Sequence, residues 1–323
     1  MADIPAARQF DLTLREALCT SSPTVGTSLR YLMRARGKRI RPQLVHLAAS
    51  FGAPSPQAIT DVAVAAELIH LASLVHDDIL DEATLRRGQP ALHILRGVGH
   101  ATLVGDFLFS RAFCLLAPYA ACGALHTMTE AIARMCEGEL EERAHRWNFA
   151  LDEEQYLVHS EKKTGALIAA CVRAGAQLGG LPIPEQERLY RYGVLLGIAY
   201  QITDDLLDFT ANSQALGKPA GLDLRRGVIT LPVIYALHDP TYGPQLKALL
   251  KTDAGGGEVA EASRILAEAG ATTRAAEKAR SLLRQARTQL GSLPLSPARV
   301  KMQKITHDVA RRLPDPSLYS PYI

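Results

Sequence analysis

Apolar residues recur at three- and four-residue spacing along almost the whole chain, and that period leaves little choice of architecture. DVAVAAELIHLASLVHDD (61–78), HATLVGDFLFSRAFCLL (100–116) and RLYRYGVLLGIAYQITDDLLD (188–208) each read as amphipathic or buried helix. No set of alternating β-branched runs competes with them. Helix breakers fall at FGAPSP (51–56), GGLPIP (179–184), HDPTYGP (238–244), DAGGG (253–257) and SLPLSP (292–297), and none has the length of a flexible linker. The expectation is an all-α fold of ten or more helices forming one domain over residues 1–323.

Composition narrows the function. The hydrophobic fraction of 47% over 323 residues is enough for a large core. A net charge of +3 is too balanced for a nucleic-acid footprint, and 6% aromatics are too few for base stacking. Five cysteines, without a C-x-x-C pair, read as buried free thiols in a reducing compartment. No secretory leader is visible, and no uninterrupted apolar window reaches the length of a membrane span. The chain is expected to be cytoplasmic.

One local pattern occurs twice. HDDILD at 76–81 returns as TDDLLD at 203–208, each at the end of an apolar helical run. Residues four apart on a helix are separated by about 40°, so Asp77 and Asp81 share a face, as do Asp204 and Asp208. Asp78 and Asp205 flank those faces. Carboxylates so close repel one another unless cations sit among them. Hard oxygen ligands suit Mg²⁺, which keeps waters and bridges to phosphates. Neither copy has the glycine and late glutamate of a Ca²⁺ loop. Arg86, Lys163 and Lys218 supply the cations for a metal-bound diphosphate, and a second basic set, Lys38, Arg39 and Arg41, lies upstream.

With these motifs the chain resembles the trans-polyprenyl diphosphate synthases. The resemblance rests on GKRIRP (37–42), ELIHLASLVHDDILDEATLRRGQP (67–90), GDFLFSRAF (105–113), EGEL (137–140), KKTGALI (162–168), YQITDDLLD (200–208) and GKPAGLDLRRGVITLP (217–232), in that order. It implies an isoprenoid-synthase helical bundle with a central cavity. It also implies Mg²⁺-dependent head-to-tail (1'-4) condensation of isopentenyl diphosphate with an allylic diphosphate. Lys38, Arg41, His70 and Arg87 match the isopentenyl diphosphate residues. Arg86, Lys163, Thr164, Gln201 and Lys218 match the allylic diphosphate residues. Asp77, Asp78, Asp81, Asp204, Asp205, Asp208 and Lys163 match the catalytic set, with Asp77, Asp81 and Asp204 as metal ligands and a Mg²⁺ cluster held between the two motifs.

Product length follows from the same resemblance. Bulky aromatics four and five residues before the first acid stop growth early in the family; here those positions are Ser73 and Ala72. With Ile69 below them, and Phe107 or Phe109 as candidates for the floor, the expected product is a medium or long chain of quinone side-chain size. Geranylgeranyl diphosphate is the alternative. A homodimer is expected, with a heteromeric partner as a second possibility. Three departures stand out: Val228 where the family has lysine, Tyr200 before Gln201, and an end, SLYSPYI, without a basic tail. Two rival readings are a terpene cyclase, which lacks the isopentenyl pocket, and a non-catalytic subunit of a heteromeric synthase, which typically loses an aspartate motif.

Overall fold

The computed structural model describes residues 4–34, 37, 39–210, 221–250 and 256–313. Lys38 and Lys218, both assigned to diphosphates above, lie outside the described residues. In chain order the helices are α1 Ile4–Ala17, α2 Pro23–Leu32, α3 Ile40–Ala49, α4 Pro56–Leu80, α5 Leu92–Arg96, α6 Val98–Leu116, α7 Ala124–Ala144, α8 Glu153–Ser160, α9 Ala166–Leu178, α10 Ile183–Thr210, α11 Leu222–Arg225, α12 Leu231–Leu237, α13 Gly243–Leu250, α14 Gly256–Glu268, α15 Ala271–Gln289 and α16 Pro297–Ala310. The chain divides into two compact units. The first is Met1–Ile132, Leu167–Tyr190 and Leu293–Met302; the second is Ala133–Ala166, Arg191–Ser292 and Gln303–Ile323. Each unit is assembled from three separate stretches, so no composition shift along the sequence marks a boundary.

In the first unit α4 is the core helix. Pro56 at its first turn costs no hydrogen bond, because that N–H has no partner inside a helix. Val62, Val64, Leu68, Ile69, Ala72 and Val75 are all buried, so the helix is apolar around most of its circumference. It packs against α1, α3 and α6. α4 and the segment Val98–Tyr119 have the length and apolar character of a membrane span; in α4 that character serves the core.

The all-α expectation stands with one small addition, and the expectation that the cysteines are buried needs correction. A small antiparallel ladder pairs β1 Leu85–Arg86 with β2 Gln89–Pro90, and two-residue strands are too short to leave an alternating pattern. Arg87 and Gly88 close it with φ of 51° and 76°, the two positive values of a type I′ turn. Nor are the cysteines all buried: Cys171 is, whereas Cys19, Cys114, Cys122 and Cys136 are exposed free thiols. Cys114 and Cys136 fall on outward positions of α6 and α7, where the helical period leaves a polarizable small residue facing out.

In the second unit α8 opens with a capping box, Asp152 accepting from the Gln155 backbone while the Gln155 side chain accepts from the Asp152 N–H. It runs into a π-helical turn, Glu161–Gly165, before α9 begins. Such turns widen the helix by one residue and often mark functional sites. Two glycines admit this turn between its neighbours. A Cβ on Gly138 of α7 would stand 2.8 Å from both Lys162 Cβ and Lys163 N, and one on Gly197 of α10 would stand 2.5 Å from Gly165 Cα.

Candidate active site

Both aspartate motifs sit at helix C-termini. Asp77 and Asp78 lie in the last turn of α4 and Asp81 is its C-cap; Asp204, Asp205 and Asp208 lie in the last two turns of α10. The negative end of a helix dipole disfavours acids by a few tenths to about 1 kcal/mol each. The arrangement therefore costs stability and calls for cations.

Within each motif the middle acid is turned inward. Asp78 is buried and takes Arg86, whose Nε and Nη2 lie 2.7 and 2.5 Å from Asp78 Oδ1. Asp205 is 3% exposed and accepts at both oxygens, from the Tyr156 hydroxyl at 2.5 Å and from Gln201 Nε2 at 2.7 Å. Burial pushes the Asp205 carboxyl well above the usual range, with Asp223 adding to the rise and the two hydrogen bonds opposing it. Asp77 and Asp81 are half-buried and Asp204 is exposed. Asp208 accepts from the Asp223 backbone N–H at 3.3 Å, tying the end of α10 to the start of α11.

The first unit holds a basic pocket. Gly37, Arg39, Glu67, His70 and Arg87 line it, with Leu32, Leu71 and Leu74 as apolar wall. Arg39 is fixed from behind by Asp11 at 2.7 Å and by the Phe10 ring. The type I′ turn sends the two arginines apart, Arg86 to Asp78 and Arg87 into this pocket, where its guanidinium lies next to Gly37. Burial lowers the His70 pKa well below the usual histidine value, and Arg41, Arg87 and Arg86 lower it further, so the imidazole is neutral. Burial raises Glu67, while Arg41, Arg39 and Arg87 pull it down. Arg41 belongs to the same electrostatic cluster.

The second unit holds a different pocket, lined by Glu142, His145, Tyr156, His159, Lys163, Gln201, Asp205, Asp223, Val228 and Thr230. Lys163 Nζ lies 3.0 Å from Glu139 and also pairs with Glu142. Burial works against the ammonium, but these two glutamates hold its pKa far above the usual lysine range. The Thr164 hydroxyl donates to Gln201 Oε1 at 2.6 Å. Val228, where the family has lysine, lines this pocket. Arg312, just past α16, reaches Asp204 Oδ1 at 2.7 Å.

Several partners were not singled out in sequence. Tyr156 precedes Lys163 by seven residues, a same-face spacing that could have flagged it. Glu67 lies three residues before His70 on α4. Glu142 and Arg312 carried no local signal. For the chain-length positions, Ala72 and Ile69 are fully buried, and Ser73 is half-buried with its hydroxyl on the His70 carbonyl.

No set of three His, Cys, Asp or Glu side chains among the described residues encloses a metal by itself. The donors present are carboxylates one turn apart, which fits a hard divalent cation that takes its remaining ligands from water and substrate phosphate.

Known proteins share this chain's sequence and fold. The family described as polyprenyl synthetase matches residues 22–267. The heptaprenyl diphosphate synthase component 2 of Geobacillus stearothermophilus is 38% identical over 303 residues, 93% of each chain. A short chain isoprenyl diphosphate synthase of Methanothermobacter thermautotrophicus is 36% identical, over 94% of this chain and 95% of that one. A Caulobacter crescentus polyprenyl synthase, solved with calcium and isoprenyl diphosphate, superposes with a TM-score of 0.89 at 29% identity, over 95% of each chain. This chain belongs to the polyprenyl synthetase family, has its all-α isoprenoid-synthase fold, and is a trans-prenyltransferase that makes prenyl diphosphates.

Proposed function

We propose that the chain is one catalytic domain over residues 1–323 that condenses isopentenyl diphosphate with an allylic diphosphate in the presence of Mg²⁺. The observation that carries the assignment of sides is the divergence of adjacent arginines. Arg87 enters the pocket with His70 and Gly37, and Arg86 turns to the first aspartate motif. Arg87, Arg41, His70 and Lys38 take isopentenyl diphosphate; Arg86, Lys163, Thr164, Gln201 and Lys218 take the allylic partner. Asp77, Asp81 and Asp204 are the metal ligands. When bound, Mg²⁺ supplies Lewis-acid neutralisation of diphosphate oxygens. Arg86 and Lys163 neutralise the departing pyrophosphate. The isopentenyl double bond attacks the allylic cation, and a proton is lost to the released pyrophosphate. Leu32, Leu71 and Leu74 keep water from the cation. Asp78 and Asp205 act behind the ligands, by holding Arg86 and Gln201.

The product we assign is medium or long, of quinone side-chain size, with geranylgeranyl diphosphate as the alternative. Support comes from the small residues Ala72 and Ser73, with Ile69 below. A cytoplasmic homodimer fits the exposed Leu103 and Phe113 of α6. A heteromeric partner is the second reading, favoured by the component 2 name of the Geobacillus relative. Radiolabelled isopentenyl incorporation by the purified chain alone, with mass analysis of dephosphorylated products, tests both. The chain alone should give products longer than farnesyl, and Ala72→Phe should shorten them. Activity that appears only with cell extract favours the heteromer; a clean farnesyl product or an unchanged length in Ala72→Phe refutes the chain-length pocket.

A further inference from the structure

Within the second unit four side chains form one chain of hydrogen bonds. Tyr156 donates to Asp205 Oδ2, Gln201 Nε2 donates to Asp205 Oδ1, and Thr164 donates to Gln201 Oε1. Gln201 is thereby held at both ends of its amide, by Asp205 and by Thr164. Ser160, 3% exposed, follows Tyr156 by one turn on α8.

We propose that Tyr156 is a positioning residue for the transfer reaction, acting through Asp205 and Gln201 to fix the Thr164 hydroxyl against the ligand. The inference rests on the assignment of Thr164 to the allylic side. The tyrosine lies at the far end of that chain, yet its hydroxyl sets where the Gln201 amide, and hence the Thr164 oxygen, comes to rest. The π-helical turn places Thr164 opposite Gln201, and the capping box of α8 fixes Tyr156 one turn into its helix.

The test is a double-mutant cycle of Tyr156→Phe and Thr164→Val. It reads kcat, both Michaelis constants, and the binding of inorganic pyrophosphate with Mg²⁺ through the fluorescence of Trp147, the chain's single tryptophan, whose ring packs at Gly227 beside Val228. Tyr156→Phe should lower kcat roughly tenfold and weaken pyrophosphate binding severalfold, while leaving the Michaelis constant for isopentenyl diphosphate unchanged. In the Thr164→Val background the same change should alter kcat less than about twofold. Equal losses in both backgrounds overturn the relay while leaving the site assignment standing. A Thr164→Val enzyme with wild-type kcat and wild-type pyrophosphate binding overturns the site assignment of Thr164 itself, and the relay with it. Should Tyr156→Phe not fold, Tyr156→Met, which also lacks the hydroxyl, replaces it in the cycle, with the same coupling expected and the same additive result overturning the relay.

Discussion

Arg312 places Nη2 2.7 Å from Asp204 Oδ1 and its guanidinium 4.8 Å from the centre of the Tyr200 ring. Tyr200 and Asp204 are four residues apart on α10, so one arginine covers both. The carboxylate assigned to metal is thus already paired with a cation from the end of the chain. The pair is partly exposed, and such a pair is worth about 1 kcal/mol or less. Arg312→Ala should therefore lower the Mg²⁺ concentration for half-maximal rate about two- to fivefold. A magnesium titration of initial rates decides it; an unchanged or raised requirement means that Arg312 does not compete for Asp204.

Removing a metal-binding carboxylate has a far larger effect. Asp77→Ala and Asp204→Ala should each lower turnover by several orders of magnitude, roughly 4 kcal/mol or more of lost transition-state stabilisation. Steady-state incorporation of labelled isopentenyl units measures it. Activity within about tenfold of wild type in either variant would falsify the ligand assignment.

The adjacent arginines should separate in kinetics. Arg87→Ala should raise the Michaelis constant for isopentenyl diphosphate by about one to two decades, the worth of one charged phosphate contact. Arg86→Ala should act on the allylic substrate instead, and should also loosen Asp78. Two-substrate saturation curves that show equal effects on both Michaelis constants contradict the division.

His70 gives a pH dependence of defined sign. Its folded pKa lies well below the unfolded value of 6.5. As pH falls through 6.5 the unfolded chain takes up a proton that the folded chain refuses, so stability is lost toward acid. Above that range both states are neutral and the group contributes nothing. Between pH 8 and pH 5.5 the loss assignable to His70 is up to about 1.4 kcal/mol. His70→Gln cannot titrate, so denaturant unfolding at the two pH values should show a correspondingly smaller difference.

Gly197 tests the close approach of α10 to the π-helical turn. The Cβ of Gly197→Ala would stand 2.5 Å from Gly165 Cα, a backbone atom that cannot swing aside. Overpacking of this kind costs about 1–3 kcal/mol. Both the melting temperature and kcat should fall, since separation of the two segments breaks the Thr164 to Gln201 bond. A variant with an unchanged melting temperature shows that the helices part without cost.

The sequence by itself determined the helices, the two acid-tipped C-termini and the kinds of residue that gather around diphosphate. Those features are local: a period of 3.6 places Asp77 with Asp81 on one face whatever surrounds them. It also determined the family, through motifs whose order along the chain no fold has to reveal. What only the tertiary structure decided is where each charge is directed. RRG at 86–88 does not say that a left-handed turn parts Arg86 from Arg87. Two D-D-x-x-D patterns do not say that Asp78 and Asp205 face inward. Tyr156 reaches Asp205 across 49 residues and Arg312 reaches Asp204 across 108, separations at which helical spacing carries no information. The physical reason is the same in each case. A helix fixes which of its own residues share a face, whereas the group that meets that face is set by how distant segments pack.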